Sequence, residues 1–212
     1  QDPGDVPSRL SLAGLQAAQG EWELARNNYN KVTELQPANA LAHTALAEIA
    51  LRSNDWTAGW QAFGWRFGTW PGKPPHHFNS IDPDRQPKRW DRGSLRRTRL
   101  FLRAERSPVE QVLFTDLLPD IEKESRHILL ECEPRLVPIL QASFPDIAVR
   151  AAGTVTEDEL TEQRVQIGSS LGDLAARYRQ RSSDFRPRTR PWIKPDPGQV
   201  AALRAEYQAC FP

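Results

Sequence analysis

The chain has 212 residues, enough for one large domain or two small ones with a real core. Lys and Arg number 28 against 27 Asp and Glu, a formal charge of +1, so the global field gives no reason to expect nucleic acid as a partner. No apolar run approaches the length a membrane-spanning helix needs, so a membrane partner is not expected.

The chain contains no Met and begins with Gln1, as expected of a fragment or processed product whose original start is missing. No basic-then-apolar leader is read at its start. Cys132 and Cys210 stand far apart at no metal-ligand spacing, and Cys132 ends an apolar run that reads as a buried strand. A packed thiol, no metal and a cytoplasmic location are expected.

Shifted by thirty-four residues, the first third of the chain matches itself. Leu12 meets Leu46, Ala13 meets Ala47, Trp22 meets Trp56, Ala25 meets Gly59, Tyr29 meets Phe63 and Pro37 meets Pro71. Gly20-Glu21-Trp22 becomes Asn54-Asp55-Trp56, a helix-ending residue followed by an acidic helix start. Small residues fall where two helices approach closely and aromatics where they diverge. On these residues, 2–72 resembles two tetratricopeptide helix-turn-helix repeats, about 6–39 and 40–73. The resemblance implies a protein or peptide partner on a concave surface. It also implies that two repeats need support from something else, either the following domain or repeats upstream. The other reading makes them a structural cap on the neighbouring domain.

Trp56, Trp60, Phe63 and Phe67 follow at i, i+4, i+7 and i+11, one face of a continuous helix. They form either an aromatic platform for a sugar or peptide, or a hydrophobic seam between repeats and next domain. The seam is the expected role, because the cluster stands where the folds join. Residues 74–97 read as an extended, proline-rich linker. Within it His76 and His77 have no third ligand in range. A basic cluster runs from Arg85 to Arg106 and a second from Arg177 to Lys194. They read either as an anion or nucleic-acid rim or as solvated charge beside a sheet, with nucleic acid the less expected.

From 98 to 212 the order is strand 99–103, helix 108–124, strand 127–131, helix 134–143 and strand 147–151. A capping box at Thr156 and Glu159 opens a short helix, and a fourth strand is placed at 164–167. A helix follows at 171–180, then a loop over 182–195, then a last helix from about 197 to 209 with Val200, Leu203 and Tyr207 on one face. The whole is α + α/β: two helical repeats followed by a Rossmann-like, doubly wound parallel sheet. In the helix after the first strand, Ser107 caps, Pro108 takes the first position and Glu110 completes a capping box. Val109, Val112, Leu113 and Leu117 are expected to lie on the sheet. Ligands of such sheets sit beyond the carboxyl ends of the strands, which draws attention to the loop 104–107.

A second resemblance rests on Trp90-Asp91, Leu95, Leu100-Phe101-Leu102, Ala104-Glu105, Leu113-Phe114 and Leu117-Leu118-Pro119-Asp120. It extends through Pro145 and Trp192-Ile193-Lys194-Pro195-Asp196-Pro197. These residues are similar to bacterial repeat-containing proteins whose second part is a GT-B glycosyltransferase, relatives of the O-GlcNAc transferases and heptosyltransferases. The resemblance covers the repeats and the first of two Rossmann-like halves. It implies a nucleotide-sugar donor held mainly by the other half, so none is expected on these residues.

In that family the loop after the first strand reads roughly Glu-Gln-Gly-x-Gly-Asp. Here it is Glu105, Arg106, Ser107, Pro108, Val109 and Glu110, with Ser107 and Val109 in the glycine places. The resemblance puts Glu110 in the position of a catalytic base and Arg103, Arg106 and Ser107 near phosphate. The capping box is the competing role for Glu110. A scaffold with a truncated or degenerate transferase-like domain is the expected function. Its alternatives are a fragment of an active nucleotide-sugar-dependent transferase, and an anion or nucleic-acid binder.

Overall fold

The computed structural model describes residues 5–68, 87–103, 105, 107–185 and 191–210. The chain forms two compact units. One is Gln1–Ser80 with Ala175–Phe185, and the other is Ile81–Leu174 with Arg186–Pro212.

The first unit is built from two helical hairpins. α1 (Val6–Ala18) and α2 (Trp22–Leu35) form the first, α3 (Ala40–Arg52) and α4 (Trp56–Phe63) the second. The thirty-four-residue period is visible atom by atom. Gly20 and Asn54, one period apart, both take left-handed φ values of 82° and 62°. Glu21 N–H donates to Gln16 O at 2.9 Å, and Asp55 N–H donates to Ala50 O at 2.9 Å. These bonds end the first helix of each hairpin in the same six-residue closure. Asp5 and Asn39, again one period apart, cap α1 and α3 with their side chains.

The core of this unit gathers Val6, Ala13, Ala25, Tyr29, Val32, Ala42 and Ile49. Gly59 stands where the first hairpin has Ala25. A Cβ there would lie 2.5 Å from Leu51 Cδ2 and 2.6 Å from Leu51 Cγ, so α3 and α4 meet at a distance only glycine allows.

The segment Ala175–Phe185 belongs to this first unit, although the sequence assigns 98–212 to one domain. It holds α9 (Ala175–Tyr178) and a 3-10 turn at Ser182–Asp184. The helix expected over 171–180 is therefore shorter, being preceded by a 3-10 turn at Leu171–Leu174.

The second unit is a five-stranded, all-parallel sheet in the order β1-β5-β2-β3-β4. Its strands are β1 (Lys88–Arg89), β2 (Arg99–Arg103), β3 (His127–Cys132), β4 (Ala148–Ala151) and β5 (Ile167–Ser170). β1 lies inside the run read as linker, and Trp90 beside it is buried. From β2 the chain steps to β3 and β4, then returns to pair β5 on the opposite side of β2. Right-handed crossovers that travel both ways along a sheet put helices on both faces. The α + α/β architecture read from sequence is the one observed.

Three details differ. The helix expected over 108–124 is α5 (Pro108–Phe114), a 3-10 turn at Thr115–Leu117, then α6 (Leu118–Glu122). Pro119 has no N–H to donate back to Thr115, and its ring crowds that carbonyl, so the α-helix tightens there. The helix expected over 134–143 is likewise divided into a 3-10 turn at Pro134–Leu136 and α7 (Val137–Ser143), whose second residue is Pro138. The fourth strand begins at Ile167 rather than at 164. Arg164 has φ 52° and, with Val165 N–H donating to Leu160 O, closes α8 (Glu157–Glu162). Thr156 caps α8, but the Glu159 carboxylate turns to Arg150 and Gln163 and not back to the cap.

The last helix, α10 (Pro197–Cys210), has no buried residue, and Leu203 and Tyr207 on its apolar stripe are exposed.

Candidate functional site

The strand order reverses between β2 and β5, and open parallel sheets place ligands in the crevice beyond the carboxyl ends of the strands at such a point. The loop after β2 and the turn after β5 meet there. Glu105 is buried, and its Oε1 accepts the Gly172 N–H at 2.9 Å. Gly172 allows this approach. A Cβ on it would stand 2.7 Å from Glu105 Oε1 and 3.1 Å from Phe114 Cε2. Gln111, buried on α5, closes the other side. Its Nε2 donates to Glu105 O, while its Oε1 accepts Glu133 N–H at 2.9 Å. One glutamine thereby ties the end of β3 to the loop after β2.

Strand register sets a polar row across one face at this end of the sheet. Ser170, Arg103, Glu131 and Arg150 are successive partners on β5, β2, β3 and β4. Arg103 Nε lies 2.8 Å from Glu131 Oε2, both side chains buried. Burial lowers the proton affinity of the Arg103 guanidinium below that of an ordinary arginine, and the Glu131 carboxylate opposes the shift. Glu131 Oε1 also accepts Gly153 N–H at 2.8 Å from beyond β4. Arg150 pairs with Glu159 at 2.9 Å. Ser170 Oγ is buried and has no hydrogen-bond partner among the described residues. Cys132, at the end of β3, is buried, and desolvation together with Glu131 and Glu133 pushes its thiol up to about 11.

Each residue singled out from the sequence has a definite place. Ser107 Oγ accepts Glu110 N–H at 3.1 Å and donates to Glu110 Oε2 at 3.0 Å, and Glu110 Oε2 accepts Ser107 N–H at 3.3 Å. The capping box is complete in both directions. Arg103 is in the buried pair with Glu131, and Arg106 lies outside the described residues. The helix face is rotated from the one expected. Val109 and Leu113 are 79% and 61% exposed, while Gln111, Phe114, Thr115 and Leu118 face inward; of the expected face Leu117 is buried and Val112 half-buried.

Sequence reasoning missed Gln111, Glu131, Ser170 and Gly172. The small-residue run Gly168-Ser169-Ser170 before Gly172 was the available signal for a close approach.

The run Trp192–Pro197 straps this unit. Trp192 Nε1 donates to Thr115 Oγ1 at 3.1 Å, and Lys194 N–H donates to Ser143 Oγ at 2.8 Å. Asp196 Oδ1 accepts Gln199 N–H at 2.8 Å at the start of α10. Among the described residues, no group of three or more His, Cys, Asp and Glu is arranged to hold a metal ion. His76 and His77 lie outside the described residues.

In the first unit, Trp56 and Trp60 cover the segment Ala175–Phe185. Trp60 Nε1 donates to Arg179 O at 2.7 Å, and Trp56 Nε1 donates to Ser182 Oγ at 3.3 Å. Trp56 packs on Phe185 with ring centroids 4.5 Å apart, and Trp60 meets Phe63 edge-on at 5.4 Å. The four-residue aromatic face stops at Phe63. A 3-10 turn at Gly64–Phe67 breaks the helical phase, and Phe67 is buried. Arg66 lies over both Phe63 and Phe67 at 4.1 Å.

Several residues of the basic clusters are used in packing. Arg89 lies 4.0 Å from Asp173, Arg99 Nη1 donates to Gln163 O, and Arg179 is buried.

Residues 16–53 match the family model described as the TPR repeat, the tetratricopeptide repeat. They run from the end of α1 to the turn after α3, within the periodic hairpins. The chain is also similar to Protein FlbA of Caulobacter vibrioides, at 25% identity over 218 aligned positions. The alignment covers 97% of this chain and 35% of FlbA, so the chain spans about a third of the length of that curated relative. No helix among the described residues is long and apolar enough to cross a membrane.

Proposed function

We propose that this chain is a cytoplasmic protein-interaction scaffold. Its tetratricopeptide hairpins carry the protein or peptide partner, and its α/β unit is a degenerate glycosyltransferase-like domain that does no sugar transfer on these residues. The observation that carries this reading is the mutual pairing of the described polar side chains around the loop after β2. Ser107 and Glu110 spend their polar atoms on each other, Glu105 on Gly172, and Arg103 on Glu131. A phosphate or sugar entering that crevice has to break a buried hydrogen bond or ion pair, each costing on the order of 1–5 kcal/mol. Ser107 and Val109 also carry a Cβ where bare backbone is needed for close approach. Calorimetric titration of the intact chain with a uridine diphosphate sugar tests the reading. No saturable heat is expected. Micromolar binding that disappears in Glu110→Gln would overturn it.

A second reading is favoured by Ser170 alone. Its buried hydroxyl has no hydrogen-bond partner among the described residues and stands at the carboxyl end of β5 beside β2, a position suited to meet a ligand. On this reading the chain is part of an active nucleotide-sugar transferase, with Glu110 as general base and Arg103, Arg106 and Ser107 holding phosphate. Ser170→Ala separates the two. The scaffold reading expects no change in any ligand affinity and a small gain in stability from removing an orphaned hydroxyl. The transferase reading expects nucleotide affinity to fall.

A further inference from the structure

One unbroken helical run crosses the boundary between the two units. The boundary falls between Leu174 and Ala175. The 3-10 turn Leu171–Leu174 ends there, and α9 begins at the next residue. A switch from 3-10 to α geometry inside one run is a recurrent place for a hinge. No linker separates the two halves. Leu171, Gly172 and Leu174 are buried on one side of the switch, and Ala175 on the other.

Each half of the run carries a clasp. Before the switch, Gly172 N–H donates to the buried Glu105 carboxylate at the crevice. After it, Arg179 O accepts Trp60 Nε1–H at 2.7 Å, and Phe185 packs on Trp56. Arg179 N–H donates to Ala175 O at 2.8 Å, which ties the second clasp to the start of α9. The first clasp is also poised to open. Ser170, two residues before Gly172, keeps a buried hydroxyl with no hydrogen-bond partner among the described residues. The closed clasp carries that cost, and an opening that brings water to Ser170 relieves it.

We propose that residues 171–178 are a hinge that couples the repeats to the crevice. Loosening α9 on Trp56 and Trp60 opens the Glu105–Gly172 clasp, and loosening the clasp frees α9. A protein partner that takes the two tryptophans from Arg179 and Phe185 thereby opens the crevice. The coupling is reciprocal, because both sites bias the same two-state element. It stands whether or not the crevice takes a sugar nucleotide.

Native-state amide exchange of the intact chain, read residue by residue, tests the hinge. Trp60→Phe removes the hydrogen bond to Arg179 O and keeps an aromatic ring. It is expected to speed exchange of Gly172 N–H by about fivefold or more, the worth of one lost hydrogen bond. Glu105→Gln weakens the other clasp and is expected to speed exchange of Arg179 N–H by a similar factor. Ser170→Ala is expected to slow exchange at Gly172. Leu129 and Leu130, in the middle of the sheet, are expected to keep their rates in all three variants. Unchanged exchange at Gly172 in Trp60→Phe, or at Arg179 in Glu105→Gln, would overturn the proposal. So would equal acceleration at Leu129 and Leu130, which assigns the effect to unfolding of the whole α/β unit.

Discussion

At the scale of single residues, the crevice is held by a few buried polar groups whose loss has a definite sign. Gly172→Ala places a methyl group against the Glu105 carboxylate and the Phe114 ring. It is expected to destabilise the chain by about 1–3 kcal/mol in urea unfolding, through overpacking and a strained hydrogen bond. Arg103→Met leaves Glu131 buried without its cation, and a loss of about 3–5 kcal/mol is expected by the same measurement. Glu131→Gln in that background is expected to recover part of it, because Gly153 N–H keeps an acceptor. The Cys132 thiol carries a pH dependence. Its folded value of about 11 lies above the unfolded thiol range near about 8.5. As pH rises between the two, the unfolded chain loses its proton first, so stability falls with pH by up to about 1.4 kcal/mol per unit. Cys132 is expected to resist alkylation at neutral pH until the chain unfolds, while exposed Cys210 is labelled directly. The Ser107–Glu110 cap was legible because its partners stand three residues apart. The Glu105–Gly172 clasp was not, because its partners are brought together only by strand order.

At the scale of elements, helix boundaries signalled by local chemistry were read well, and faces were not. The end of α1 at Gly20 and the end of α3 at Asn54 follow from left-handed residues that sequence can flag. The buried face of α5 was decided by tertiary partners. Gln111 is drawn inward by two backbone groups, and the helix rotates with it, leaving Val109 and Leu113 to solvent. The rotation is testable without a ligand. Leu113→Lys is expected to change stability by no more than about 0.5 kcal/mol. Phe114→Ala is expected to cost about 3–5 kcal/mol. If the two costs are reversed in thermal or urea unfolding, the face assigned to α5 is incorrect. β5 was placed early for a related reason. Gly168, Ser169 and Ser170 lack the apolar pattern of a strand, and their ladder is supplied by β2 along all three and by β1 at Gly168.

At the scale of the whole molecule, the architecture class was carried by order alone: periodic helices first, then alternating strands and helices. The path of the chain was not legible, since nothing in residues 175–185 marks them as partners of Trp56 and Trp60. Trp60→Ala removes an indole and its hydrogen bond to Arg179 O, and a loss of about 2–4 kcal/mol is expected, smaller for Trp60→Phe. The return of that segment makes the first unit discontinuous in sequence, its last piece lying far along the chain from its hairpins. A protease site engineered between residues 68 and 87, once cut, is therefore expected to yield two polypeptides that still elute together under native conditions. They should part in denaturant, or after Trp60→Ala.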